Sequence, residues 1–169
     1  MIELNRTENY LDELEAALRS EITRRSLQTP LMIGIHRGGV WLAERLHQRL
    51  GLKEPLGRID ISFYRDDFSR AGLHPTVQAS SLPVPVDGRD VILIDDVFYT
   101  GRTIRAALNE LFDYGRPHQV VLGVLIERNG REIPIRPDCM GASLTLSRGE
   151  RIKLSGPDPL VLSVHGVAP

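Results

Sequence analysis

Lysine is nearly missing from this 169-residue chain: of its 21 cationic side chains, all but Lys53 and Lys153 are arginine, and 22 Asp and Glu bring the net charge to −1. That balance argues against a strongly basic nucleic-acid binder, although a local arginine patch fits inside a neutral total. Aromatic residues make up only 5%, too few for a surface whose main work is stacking single-stranded bases. The single cysteine, Cys139, excludes an internal disulfide and a cysteine-based zinc cluster, and suits a reducing cytoplasm. No apolar run approaches the length of a membrane span. The N-terminal Met1-Ile2-Glu3-Leu4-Asn5 lacks the basic-then-apolar pattern of a signal peptide. The expectation is a cytoplasmic protein with no membrane partner. What the chain does contain is aliphatic: hydrophobic residues reach 41%, enough for one core, which predicts a single domain over 1–169.

From Thr7 to about Ser26, Leu11, Leu14, Leu18 and Ile22 recur at helical spacing, with Asn5 or Thr7 as the cap and Pro30 as the stop. Leu31-Met32-Ile33-Gly34-Ile35 is apolar throughout, as in a strand buried on both faces. A glycine turn, His36-Arg37-Gly38-Gly39, leads into a second helix through Val40, Leu42, Ala43, Leu46 and Leu50, closed by Gly51. Ile59, Ile61 and Phe63 alternate with polar residues and predict a strand. The stretch 65–75 after it has no sustained period, and loops of that length in compact domains tend to be functional. Val91-Ile92-Leu93-Ile94 is the second apolar run, a helix follows Thr103 and ends near Gly115, and 120–126 is the third run. Apolar strands alternating with helices predict an α/β fold with a central parallel sheet flanked by helices. Beyond Arg128 the shorter pieces 144–146, 152–154 and 160–164 read as β-rich edge elements.

Ligands of open α/β sheets gather where strands end and helices begin. After Ile94 come Asp95 and Asp96, and then Tyr99-Thr100-Gly101-Arg102-Thr103 at a helix start. There the first-turn N–H groups and the dipole favour a phosphate. Carboxylates are poor company for phosphate but good acceptors for sugar hydroxyls and, directly or through water, good partners for a metal attached to the same ligand. A ribose with a 5′-phosphate has both requirements. Singly, Asp95-Asp96 also reads as a turn and Thr100 or Thr103 as a helix cap.

The string VILIDDVFYTGRT resembles the signature of type I phosphoribosyltransferases, which use 5-phosphoribosyl-1-pyrophosphate (PRPP). With Ile59-Asp60-Ile61, Tyr64-Arg65-Asp66-Asp67 and Arg131-Glu132-Ile133-Pro134-Ile135-Arg136, the chain is most similar to the PyrR family, pyrimidine-operon regulators that are also uracil phosphoribosyltransferases. The likeness covers roughly 31–136. It implies the type I fold with a small hood over the base, built from the N- and C-terminal parts. It implies conversion of uracil and PRPP to UMP and pyrophosphate, with Mg²⁺ carried on the PRPP and no direct protein ligand. Asp95 and Asp96 would accept from the ribose hydroxyls; Tyr99, Thr100, Gly101, Arg102 and Thr103 would cradle the 5′-phosphate. His36, Arg37, Gly38 and Gly39 would bind the leaving pyrophosphate. The 65–75 stretch would close over the substrate with Arg65 on the pyrophosphate; a solvated hairpin tip is the alternative. Ile126, Glu127 and Arg128 would face the base, with Glu127 standing where relatives have Asp. Purine-salvage relatives place an aspartate in the phosphate loop where this chain has Tyr99, which favours a pyrimidine. A purine-salvage transferase and a non-catalytic nucleotide-sensing regulator remain the alternatives.

The resemblance further implies a homodimer or larger homo-oligomer and a pyrimidine-gene leader RNA as partner, bound with the help of UMP or UTP. Arg19, Arg131 and Arg136 would contact it. Departures from the family are Gly130, where relatives have histidine, and Glu15 and Arg19, where they have threonine and histidine. A carboxylate at Glu15 repels phosphate, and Arg19 compensates in part.

Overall fold

The computed structural model describes residues 2–4, 6–62 and 80–166. A five-stranded parallel sheet forms the centre, in the order β3-β2-β4-β5-β6. Its strands are β2 (Leu31–Ile35), β3 (Gly57–Ile59), β4 (Asp90–Phe98), β5 (Gln119–Arg128) and β6 (Cys139–Leu144). Helices α1 (Thr7–Arg24) and α2 (Gly38–Leu50) cover one face and α3 (Arg102–Asp113) covers the other. The apolar runs supply both faces at once, as alternation along a strand requires. Met32, Ile92 and Ile94 pack with Leu11, Leu14, Leu18, Leu42 and Leu46. Their neighbours Ile33, Val91 and Leu93 pack with Ile104, Ala107 and Leu111. A second, antiparallel sheet joins the two ends of the chain: β1 (Ile2–Leu4) pairs with β8 (Val161–His165), and β8 with β7 (Arg151–Ser155).

Several boundaries differ from the sequence expectations, each for a physical reason. Thr7 is the first residue of α1 rather than its cap; Arg6 holds the N-cap position without a side-chain bond, and Asn5 lies outside the described residues. The Thr7 hydroxyl instead accepts the N–H of Leu162 at 3.1 Å and ties the helix start to β8. The helix stops at Arg24, where Ser26 takes a positive φ of 52°, well before Pro30. Helix α2 begins already at Gly38 and closes at Gly51, which has the left-handed φ of 62° that favours glycine. Strand β3 is only three residues long, and Ile61 is buried outside it. The edge strand of the main sheet is β6, upstream of the expected 144–146 piece.

The largest difference matters for function. Strand β4 does not end at Ile94 but continues to Phe98, because Asp95, Val97 and Phe98 stay in register with Val124, Ile126 and Glu127 of β5. The two aspartates therefore stand on a strand of the sheet rather than in a mobile turn.

Candidate active site

Strand alternation puts Asp96 on the same face as Ile92 and Ile94, the face covered by α2. It meets the start of that helix there. A Cβ added to Gly38 would fall inside contact distance of Asp96 Oδ2, and one added to Gly39 would collide with the Ile94 carbonyl oxygen. The glycine turn after β2 thus lies directly against the Asp96 carboxylate and the Ile94–Asp95 main chain, with no room for a side chain between them. Asp95 is 2% exposed and its Oδ1 accepts the N–H of Asp96 at 2.9 Å. Asp96 Oδ1 accepts the N–H of Val97 at the same distance. Both carboxylates are oriented by the main chain.

The loop 99–103 follows at once. Gly101 stands at the N-cap of α3 with φ 92° and offers no side-chain cap, so the first-turn N–H groups lack an intrahelical partner. The Thr100 hydroxyl accepts the Arg102 N–H at 3.2 Å. Arg102 thus enters the cradle by its main chain. Its guanidinium Nε instead donates to Glu132 Oε2 at 2.9 Å, 30 residues away. Tyr99 turns outward: its ring lies 4.1 Å below the Arg128 guanidinium and against Gly130, whose φ of 115° and missing Cβ leave space for it.

In the glycine turn, the His36 N–H donates to the Ile59 carbonyl at 2.9 Å, and the His36–Arg37 peptide is cis. Burial pushes the His36 imidazole below its ordinary pKa; Asp60 opposes this, and Arg58 and Arg37 add to it. A cleft of about 360 Å³ opens beside the turn, lined in part by His36, Arg37, Trp41 and Arg58. A larger cavity of about 550 Å³ lies at the amino ends of β4 and β5, the opposite end of the strands from the carboxylates. Its charged groups satisfy one another: Asp90 accepts from His118 and Gln119, and Arg89 pairs with Glu54.

Of the residues expected to face the base, Ile126 is fully buried in the core and in register with Val97 and Ala142 on either side. Glu127 is half-buried beside Phe98 of β4. Arg128 donates to the Glu150 carbonyl at 2.8 Å and points toward the 147–150 turn. Arg65 and the 65–75 stretch lie outside the described residues. Arg19 is engaged: its Nε and Nη2 donate to Glu15 Oε1, and Nη2 also reaches the Arg49 carbonyl. Glu15 is therefore neutralised by Arg19, with Arg49 3.5 Å from its other oxygen. Arg131 and Arg136 are exposed and have no ion pair among the described residues. Glu132 and Ile133, which hold the phosphate loop from outside, were not singled out by the sequence as site residues. Their segment was visible as a motif, but no local pattern says that it meets a loop 30 residues upstream.

A five-stranded parallel sheet flanked by helices, with a carboxylate pair at the end of its central strand, a glycine turn beside it and a glycine-started helix after it, has the type I phosphoribosyltransferase fold. The family model of the phosphoribosyl transferase domain matches residues 3–146. A "Bifunctional protein PyrR" of Pseudomonas paraeruginosa is 54% identical over 159 residues, covering 94% of this chain and 94% of that protein. One from Nitrosococcus oceani is 52% identical over 158 residues, covering 92% and 89%. The chain belongs to the PyrR family of phosphoribosyl transferase domain proteins. Among solved structures, a Trypanosoma cruzi hypoxanthine phosphoribosyl transferase matches with TM-score 0.68 at 16% identity, over 98% of this chain and 90% of that one. A Staphylococcus aureus hypoxanthine phosphoribosyltransferase matches with TM-score 0.63 at 22% identity, over 82% and 74%. At those identities the likeness is one of fold.

Proposed function

We propose that the protein transfers the phosphoribosyl group of PRPP to uracil, giving UMP and pyrophosphate. What carries this reading is the close approach of Gly38 to the Asp96 carboxylate and of Gly39 to the Ile94 and Asp95 main chain in a chain 54% identical to a PyrR protein; on it, the turn would take the pyrophosphate, the aspartates the ribose and the 99–103 loop the 5′-phosphate. In the reaction the C1′–N1 bond forms as the bond from C1′ to the pyrophosphate oxygen breaks, and the N1 proton is lost. The sugar passes through an electron-poor state. Asp95 and Asp96 accept from the ribose hydroxyls and hold C1′ in line. The main-chain N–H groups at the start of α3, with the Thr100 and Thr103 hydroxyls, anchor the 5′-phosphate. The turn of His36, Arg37, Gly38 and Gly39 receives the charge that develops on the leaving group, and Arg65 adds to it from the 65–75 stretch. Burial of His36 disfavours its charged form, so on this reading Arg37 is the main cation of the turn. The base lies against Glu127 and Arg128, under a hood formed by the small antiparallel sheet.

Among the described residues no group of three or more His, Cys, Asp or Glu forms a metal site. A Mg²⁺ ion would come bound to PRPP, with Asp95 and Asp96 as the residues that would hold it through water, and it would supply charge neutralisation for the leaving pyrophosphate. Incubation with PRPP, Mg²⁺ and either uracil, hypoxanthine or guanine tests the assignment. UMP formation is the expected result; turnover of a purine alone would reverse it.

The regulatory half of the reading is binding of a pyrimidine-gene leader RNA, favoured by UMP or UTP. Arg131 and Arg136, exposed and without an ion pair among the described residues, support it. On this reading the RNA would lie along the 131–136 segment more than along α1, because Arg19 and Arg24 of α1 and Arg25 after it engage carboxylates. A gel-shift with the organism's own leader, with and without UMP, is expected to show retention that UMP strengthens. Retention unaffected by nucleotide, with a steep salt slope, would mark non-specific binding.

A further inference from the structure

The phosphate loop 99–103 has a second layer. The Glu132 N–H donates to the Thr100 carbonyl at 3.0 Å, the Glu132 carboxylate accepts from Arg102 Nε at 2.9 Å, and Ile133 Cγ1 lies 2.7 Å from where a Gly101 Cβ would stand. Tyr99 closes the contact against Gly130. Three consecutive positions of the cradle are thus held from outside by 132–133, and none of these contacts uses the inner surface that a phosphate would occupy.

We propose that Glu132 is a positioning residue for the phosphate loop. It holds the Thr100 carbonyl and the Arg102 side chain, so the main-chain N–H groups of the loop are set in their binding geometry before the ligand arrives. The physical need is plain. A loop that binds largely through main-chain groups needs those groups fixed, the Thr100 hydroxyl holds only the Arg102 N–H, and the residue at the helix start, Gly101, is the most freely rotating residue of all. The ion pair is half-exposed on both sides, at 58% and 51%, so its effect is modest. An exposed pair is worth about a two- to five-fold change in an equilibrium constant.

The inference rests on the phosphoribosyltransferase reading, and the test separates the two. Binding of UMP and of uridine is measured by calorimetry on the full chain, together with steady-state rates in uracil and PRPP. In Glu132→Gln, the affinity for UMP falls about two- to five-fold and KM for PRPP rises by the same factor. The affinity for uridine, which has no phosphate, stays constant, as do KM for uracil and kcat. Glu132→Asp, which keeps the charge, recovers part of the loss. In the Arg102→Ala background the Glu132→Gln effect disappears, because the two act through one contact. Equal loss of UMP and uridine affinity, or an effect of Glu132→Gln that persists without Arg102, overturns the proposal. Wild-type affinity in Glu132→Gln overturns it while leaving the function standing. Failure of the wild type to bind UMP or to turn over uracil removes both.

Discussion

At Gly38 and Gly39 the absence of a single carbon sets the geometry of the site. Gly38→Ala would drive a methyl group into the Asp96 carboxylate, so either Asp96 or the turn must move, and the proposed reaction needs both in place. A displacement of this size at a positioning group lowers rates by about two orders of magnitude, and kcat/KM for PRPP is expected to fall accordingly while the protein stays folded. Gly39→Ala meets main-chain atoms of Ile94 and Asp95 and is expected to reduce folding stability as well. Gly51→Ala is the control: nothing lies within 4 Å of its Cβ position. Its positive φ alone costs about 1 kcal/mol, with kcat/KM unchanged. At Asp96 itself, Asp96→Asn keeps the shape and loses one charge-assisted contact, worth about 1.5–3 kcal/mol. The expected loss in kcat/KM for PRPP is roughly ten- to 150-fold. Wild-type kinetics in Asp96→Asn would mean that the ribose is not held there.

Among the elements, α1 illustrates how the arginine-rich composition is used. Arg49 of α2 reaches Glu8, Asp12 and Glu15 of α1, so the contact between the two helices is ionic on its outer side. At the end of α1, the hydrogen bond from Arg24 is the main reason that the Glu21 carboxyl lies at about 2 rather than 4.5; burial opposes it and Arg25 adds to it. Because the folded value is the lower one, the stabilisation is complete above 4.5 and is lost as pH falls toward 2. Urea unfolding as a function of pH is expected to show this acid-side loss. In Glu21→Gln the loss should flatten, and stability at neutral pH should drop by roughly 1–2 kcal/mol. An identical acid profile in the variant would assign the loss to other carboxylates.

The same scale shows what the sequence made legible. The three apolar runs became β2, β4 and β5 because burial on both faces leaves a signal in every residue. The string after Ile94 stood out in the sequence as a candidate site, although Asp95 and Asp96 proved to belong to the strand. Polar residues ended the apolar run while pairing with β5 continued. Strand β6 was not foreseen, since Cys139-Met-Gly-Ala-Ser-Leu has no period and few β-branched residues. It is held by β5 on one side and by α1 passing close over it: a Gly141 Cβ would collide with the Tyr10 carbonyl oxygen and stand 2.7 Å from that of Leu125. Close approach of this kind is a tertiary property. The Arg102–Glu132 contact was illegible for the same reason.

For the whole molecule, the decisive feature is how the ends of the chain are closed. Thr7 joins the start of α1 to β8, β8 joins β1 to β7, and α1 in turn lies over β6. The edge of the main sheet is therefore covered by a helix that is itself tied to the small sheet. Cys139, the one thiol, stands at the first position of β6 and is 2% exposed. Burial pushes its thiol up to about 12, and the Glu21 and Asp138 carboxylates push in the same direction. An exposed thiolate reacts readily with iodoacetamide at pH 8; a buried, protonated thiol reacts only when the structure opens. If β6, α1 and the small sheet open only together, labelling of Cys139 in native buffer proceeds with the free energy of global unfolding, and its denaturant dependence matches that of Trp41 fluorescence. The two are compared by following modification by mass spectrometry across a urea series. Labelling that is faster, with a shallower denaturant dependence, would show that β6 and α1 open as a separate unit. In that case the Thr7 link to β8 would not be what closes the edge of the sheet.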